Sequence, residues 1–333
     1  MARGDINRPP YTLSIVSDNG PLLDSRFVAP NATHVDGALE YDLHNLYGYS
    51  ESKATYKSLQ SIQQDKRPFI LSRSTHSGSG QYAAHWGGDN ESVWSFLRFS
   101  ISQSFSFGLF GIPFFGADVC GFTKNTTEEM CSRWMQLGSF FPFYRNHNTK
   151  TTIAQEPYVW DSVAETSKNS IQLRYTLLPY YYTLLAHSHL FDGLPVMRAS
   201  SWVFPYDESL FGLDSQFFIG NALLVVPALL SNVTSVSGTF PGLDNDEIYY
   251  NWYDKKVFNN TDVVQTLDAP LNGDVPLFVR GGFVLPLQDP AYTISESREN
   301  PFRLIAALDA NGDASGDLFL DDGESPLDSN YEG

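Results

Sequence analysis

Up to about residue 200 this chain alternates short apolar runs with segments of helical period, and that alternation restricts the open folds more than any other feature. Phe69-Ile70-Leu71, just after Pro68, and Ile112 to Phe115 predict short buried strands, and Pro195 to Phe204 predicts another. Leu43, Leu46 and Tyr47, then Tyr56, Leu59 and Ile62, recur at helical spacing. Trp94, Leu97, Ile101 and Phe105 fall on one helical stripe. Thr126-Thr127-Glu128-Glu129 reads as a capping box, Thr126 to Glu129, opening a helix with the stripe Met130, Trp134, Leu137 and Phe141. A long helical pattern runs from about Asp161 to His189 with Ile171, Tyr175 and Leu178 on one face, and Pro179 is expected to kink or break it. Strands alternating with helices specify a parallel α/β sheet or barrel.

After residue 205 the texture changes. Leu223-Leu224-Val225-Val226, Ile248-Tyr249-Tyr250-Asn251-Trp252 and Leu277-Phe278-Val279 are short strands between turn-forming residues, so this half reads as all-β. Phe302 to Leu308, a turn at Asn311-Gly312 and Leu318 to Leu320 predict a closing hairpin. Residues 1 to about 35, rich in Pro, Asn, Asp and Ser, read as loop.

A length of 333 residues suggests two domains or one barrel with an appendage. The formal charge of -17 argues against nucleic acid and anionic membranes as partners, since both attract basic patches. Aromatic residues make up 14% of the chain, which suits carbohydrate stacking and equally a large aromatic core. Cys120 and Cys131 stand close enough to close a short loop, two free buried thiols being the alternative. Asn-x-Ser/Thr sequons occur at Asn31, Asn90, Asn125, Asn232 and Asn259; with a possible disulfide they favour a secretory-pathway origin. Asn90 is the weakest acceptor, because it adjoins Asp89. Met1 to Pro10 has no apolar core of a signal peptide. The most apolar stretch, Ser104 to Cys120, is too interrupted to span a bilayer.

The chemistry concentrates in His85-Trp86-Gly87-Gly88-Asp89-Asn90, a carboxylate beside a tryptophan on a glycine pair. Cleaving a glycosidic bond requires a proton for the leaving oxygen and a carboxylate for the developing oxocarbenium ion. Asp89 suits the donor, and burial beside Trp86 would favour its protonated form. An N-cap role for Asp89 at a helix starting near Ser92 accounts for the spacing equally well. Arg73 ends one strand and Asp118 another, where barrel sites are built. Arg73 suits sugar hydroxyls or a structural ion pair, and Asp118 two hydroxyls or a turn. His147, in Arg145-Asn146-His147-Asn148, suits a hydroxyl contact or a structural one, and Trp86 and Phe122 suit sugar platforms or core packing. Asp309-Ala310-Asn311-Gly312-Asp313 resembles the start of a calcium loop but lacks the required Gly and Glu. No Cys/His spacing suggests zinc, and no phosphate-binding loop or serine nucleophile elbow is present.

Taken in order, these motifs resemble family 31 glycoside hydrolases, in particular the secreted α-glucosidases (maltases) of fungi. The carriers are Tyr41 to Gly48, the Arg73 segment, His85 to Asn90, Phe115 to Phe122, Cys131 to Gly138, Phe141 to Asn148, Val279 to Gly282 and Leu320 to Ser325. The resemblance implies a (β/α)8 barrel followed by two small β domains. It gives residues 1–200 as the C-terminal part of the barrel, 201–293 as a proximal β-sandwich and 294–333 as the start of a truncated distal β domain. It implies Asp89 as general acid/base, with Arg73, Trp86, Asp118, Phe122 and His147 lining a pocket for the terminal glucose. Cys120 and Cys131 match a family disulfide, and the family removes α-linked glucose with retention, without metal or cofactor. The family's nucleophile, an aspartate in Trp-x-Asp-Met-Asn-Glu, has no counterpart here. The expectation is therefore a fragment that needs an N-terminal half of the same enzyme, with a non-catalytic carbohydrate-binding chain or an inactive relic as the alternatives. Within the family, α-xylosidase and the endoplasmic-reticulum glucosidase stay open.

Overall fold

The computed structural model describes residues 28–258 and 262–327, together with Ile6. Most of the N-terminal segment read as loop, and the sequon at Asn259, lie outside the described residues. Helices α1 (Glu40–Leu43) and α2 (Tyr47–Ile62) lead into strand β1 (Leu71–Ser72). A 3-10 turn at Ser79–Gln81 connects it to β2 (Ala84–Trp86). Helix α3 (Trp94–Leu109) returns the chain to β3 (Phe115–Gly116) and β4 (Asp118–Val119). Helix α4 (Glu128–Gly138) leads to β5 (Arg145–Asn146), and α5 (Asp161–Leu190) follows.

All pairings among β1 to β5 are parallel. β3 and β4 are one run interrupted at Ala117, and the Phe143 N–H donates to the Phe115 carbonyl at 3.0 Å. Four parallel runs therefore lie side by side with helices outside them, the arrangement that strand–helix alternation specifies. At Gly116 a Cβ would stand 1.8 Å from the Phe143 carbonyl oxygen, so only glycine permits this strand approach.

The second half is built on a five-stranded sheet ordered β10-β12-β8-β7-β6. Its members are β6 (Met197–Arg198), β7 (Phe217–Ile219), β8 (Leu223–Val225), β10 (Tyr249–Asn251) and β12 (Leu277–Arg280). β9 (Ser235–Thr239) and β11 (Val264–Asp268) form a separate hairpin. Phe217, Ile219, Leu223, Val225, Leu277 and Val279 join the core shared with α3, α4 and α5. Phe218, Leu224 and Phe278 point the other way, onto Phe240, Tyr249 and Leu267. The sheet is buried on both faces, which is why its strands read as unbroken apolar runs instead of alternating ones. Each such fully buried side chain contributes about 1.5–3 kcal/mol.

Several sequence expectations are corrected. The first strand is Leu71–Ser72, and Phe69 is 64% exposed: among the described residues β1 pairs only with β2, so nothing covers its other side. The cap of α4 is Thr127, not Thr126, and its side chain accepts from the Met130 N–H. The Glu129 carboxylate is taken instead by the Asn232 N–H at 2.6 Å and the Ser231 hydroxyl at 2.8 Å. Helix α5 continues through Pro179. Its neighbouring tyrosines anchor it on both sides, Tyr180 to the Ile219 carbonyl at 2.9 Å and Tyr181 to the Phe140 carbonyl at 2.8 Å. The buried face of α5 carries Val163, Ser167, Ser170, Leu177 and Tyr181, whereas Ile171 is exposed. Small hydroxyl residues let α4 and α5 approach closely, as Ser132 and Thr166 do at 3.1 Å, so no apolar stripe marks that face.

Residues 195–204 hold the two-residue β6 and then α6 (Ser200–Val203), not one strand. β14 (Phe302–Ala307), which follows α7 (Ile294–Arg298), pairs backwards with β13 (Phe283–Gln288). The turn at Gly312 forms, but Leu318 to Leu320 is not a strand, and Phe319 is buried with its N–H donating to the Thr183 hydroxyl at 3.1 Å.

The last described residues return to the segment that leads into β1. Glu324 accepts from the Arg67 N–H at 2.8 Å and from Lys66 at 2.7 Å. Asp321 pairs with Arg67 at 2.9 Å and accepts from the Tyr182 hydroxyl at 2.7 Å. The Lys66–Glu324 contact spans 258 positions.

Candidate active site

Each residue singled out in the sequence stands at the C-terminal end of one of the parallel runs. Arg73 follows β1, Trp86 ends β2 with Asp89 three residues on, Asp118 opens β4, and His147 follows β5. These are the strand ends where barrel enzymes carry their chemistry. Arg73 and Asp89 face each other at 3.4 Å, with side chains 56% and 48% exposed. Asp89 is thus not buried beside Trp86, contrary to expectation. It is not a helix cap either, because α3 starts at Trp94 behind Val93 with no side-chain cap bond. A Cβ at Gly88 (φ +73°) would lie 2.7 Å from the Arg73 Nε, so the glycine that frees the turn also admits the guanidinium.

Asp118 is the buried counterpart of Asp89, at 1% exposure. Its carboxylate accepts from Arg145 at 2.5 Å. Burial pushes its pKa above the usual aspartate range, outweighing the Arg145 pairing, while His147 draws it down and Asp89 pushes it up. The Arg145 guanidinium lies 5.4 Å from the centre of the Trp86 ring and 5.1 Å from that of Phe143. The Phe122 and His147 rings meet at 5.1 Å. All six predicted site residues therefore converge on one rim.

The sequence reading missed the residues that hold this rim. Arg145 lay in a run from which only the histidine was chosen, and its link between Asp118 and Trp86 leaves no trace in spacing. Asn90 is buried; its amide donates to the Asp118 carbonyl at 3.0 Å and accepts from the Phe122 N–H at 2.9 Å. That amide is committed to the fold and closed to a glycan, whereas Asn31, Asn125 and Asn232 are exposed. Gln155, 1% exposed, donates to the carbonyls of Val119, Gly121 and His147, and so ties two rim loops together. The Cys120–Cys131 disulfide, with its Cα atoms 4.5 Å apart, fastens the loop after β4 to α4. Among the described residues no His, Cys, Asp and Glu cluster suits a metal ion, and no helix is long and apolar enough to cross a membrane.

His85 supports the rim from below and yields a prediction. It is 5% exposed, stacked on Phe107 at 3.9 Å, and its Nδ1–H donates to the Ser72 carbonyl at 3.0 Å. Burial lowers its pKa to about 4. The unfolded chain takes up this proton near pH 6.5 and the folded chain only near pH 4, so stability is lost as pH falls through that window. The loss is about 3 kcal/mol below pH 4. Urea midpoints at pH 7 and pH 4.5 check it: His85→Gln should lose less stability on acidification than the parent, and equal losses would refute it.

A model of the family 31 glycosyl hydrolase TIM-barrel domain matches residues 16–184, and one of the family 31 C-terminal domain matches residues 193–285. The chain belongs to glycoside hydrolase family 31. Among family 31 relatives, Glucoamylase 1 of Schwanniomyces occidentalis is 56% identical over 97% of this chain and 34% of its own length. An alpha-glucosidase of Aspergillus niger is 51% identical over 96% of this chain and 32% of its own length. The chain thus spans about a third of the curated relatives it matches. Of the solved structures, glucosidase II alpha subunit superposes with a TM-score of 0.85 at 36% identity, covering 92% of this chain and 33% of that one. A family 31 dextranase of Flavobacterium johnsoniae gives 0.80 at 29% identity, over 89% of this chain and 37% of that one. The fold is accordingly α/β, part of a TIM barrel followed by the family's β-rich C-terminal domain.

Proposed function

We propose that this chain forms the acid/base side of a retaining, exo-acting α-glucosidase that releases terminal α-1,4-linked glucose from maltose, malto-oligosaccharides or starch. One observation carries the reading: a half-exposed Asp89 at a barrel mouth, faced by Arg73 and backed by the buried Asp118 with its partner Arg145. Asp89 protonates the leaving oxygen and then takes the proton of the attacking water. Asp118 and His147 accept and donate hydroxyl hydrogen bonds, Arg73 holds Asp89 and a hydroxyl, and Trp86 and Phe122 pack on the apolar face of the glucose. The second carboxylate comes from another segment of the enzyme, placed roughly 5–5.5 Å from Asp89 as retention requires. No metal or cofactor is called for. We assign residues 1–200 to the barrel, 201–293 to the proximal β-sandwich and 294–333 to the distal β domain, with β6 lent by the barrel's last residues to the proximal sheet. The disulfide supports a secretory-pathway protein, glycosylated at Asn31, Asn125, Asn232 and Asn259.

The test is glucose release from maltose by the chain alone and by the chain co-expressed with a family 31 N-terminal segment carrying Trp-x-Asp-Met-Asn-Glu. Activity only in the pair is expected. Turnover by the chain alone, or none from a well-folded pair, would overturn the reading.

A further inference from the structure

A second cleft, of about 480 Å³, opens away from the barrel mouth. It touches Gln136, Ser139 and Phe140, at the end of α4 opposite the rim, and continues between α5 and the β13–β14 hairpin. One wall presents Asn169 and Gln172, three residues apart on α5 and both exposed. The other presents Tyr253, Lys255, Asp274 and Arg303. Among the described residues, Asn169, Gln172 and Asp274 make no side-chain hydrogen bond or ion pair, so their capacity faces the cleft unspent. The Tyr253 hydroxyl is committed to the Val275 carbonyl at 2.9 Å, which leaves its ring, 40% exposed, as an apolar face. Lys255 donates to the Trp252 carbonyl, and Arg303 pairs with Asp289 at 2.5 Å.

This lining selects a ligand class. An anion would meet Asp274. A divalent cation would meet one carboxylate together with Lys255 and Arg303. A purely apolar ligand would strand two amides. Two amides, a carboxylate and cations around an aromatic face suit a neutral ligand that donates and accepts along one side and is apolar on the other, which describes a hexose ring. The volume lies within the range of sites for small ligands, about 300–1,000 Å³.

We propose that this cleft is a second carbohydrate-binding site, independent of the barrel mouth, that holds one or two hexose units of an α-glucan. That the sugar is an α-glucan rests on the function proposed above; the site itself does not. It would keep a long substrate on the enzyme between cleavages, since a linked second contact raises the local concentration of chain ends.

The experiment is a calorimetric titration of the full chain with maltotriose. It compares the parent, a Gln172→Ala/Asp274→Ala variant and Asp118→Asn at the mouth. Gln172 and Asp274 are exposed, and near-ultraviolet circular dichroism should find the double variant folded as the parent is. The parent should bind in two classes. The double variant should lose one class, or weaken it at least tenfold, and keep the other, while Asp118→Asn should do the reverse. A double variant that binds as the parent does would overturn the second site. A cleft class without any mouth class would leave the second site standing, while the proposed function stands or falls on glucose release by the completed pair.

Discussion

Asp89→Asn should lower glucose release from maltose by about 10²–10⁴-fold in the enzyme completed by its second carboxylate. The substitution keeps the size of the side chain and a hydrogen-bonding partner for Arg73, 3.4 Å away, and removes only the transferable proton. The loss should therefore depend on the leaving group. A glucosyl fluoride departs with little protonation and should be far less affected than maltose. Azide needs no general base, so it should speed turnover of the glucosylated enzyme and yield a glucosyl azide of retained configuration. An equal loss on both substrates, without azide rescue, would show that Asp89 binds and does not transfer protons.

How far the sequence revealed this site depends on what kind of job each residue has. Arg73, Trp86, Asp89, Asp118, Phe122 and His147 stood out because chemistry-bearing side chains sat at the ends of apolar runs, and the structure brings them to one rim. The supporting residues did not stand out. Arg145, Asn90 and Gln155 act on backbone carbonyls and on partners 27 to 36 positions away, which no local period encodes. The elements followed the same division. Runs buried on both faces, such as Leu223–Val225, were legible, whereas the hairpin partner of β14 was misjudged because helix α7 stands between β13 and β14 and no tight turn joins them. Pro179 misled because local propensity yields to packing that anchors α5 along its length.

Arg133→Met should destabilise the fold by about 3–5 kcal/mol, the second large effect. Helix α4 reads as amphipathic, yet it is buried from Met130 to Gly138. Its polar stripe, Glu129, Arg133 and Gln136, inserts into the β half instead of facing water. Arg133 donates to the carbonyls of Val233 at 2.9 Å, Ala269 at 2.7 Å and Pro270 at 3.2 Å. Gln136 donates to those of Leu271 and Gly273. Methionine fills the space but leaves the buried carbonyl of Ala269 and the partly buried ones of Val233 and Pro270 without this donor, at up to about 1–3 kcal/mol each, offset in part because the desolvated guanidinium is no longer buried. Arg133→Lys should fall between, since one ammonium cannot reproduce the fork. Urea unfolding followed by near-ultraviolet circular dichroism measures the difference, and an unchanged midpoint for Arg133→Met would refute the account.

The contacts of Asp321 and Glu324 with Lys66 and Arg67 also set an order of events at the ribosome. Lys66 emerges 258 positions before its partner Glu324, and Arg67 likewise precedes Asp321. At ordinary synthesis rates that interval lasts about 13–50 s. Through it the approach to β1 has no latch, and an unlatched strand edge invites pairing with other chains. Strand β1 is thus laid down well before the contacts that fasten its approach, and the nascent chain must be kept from its neighbours throughout that interval.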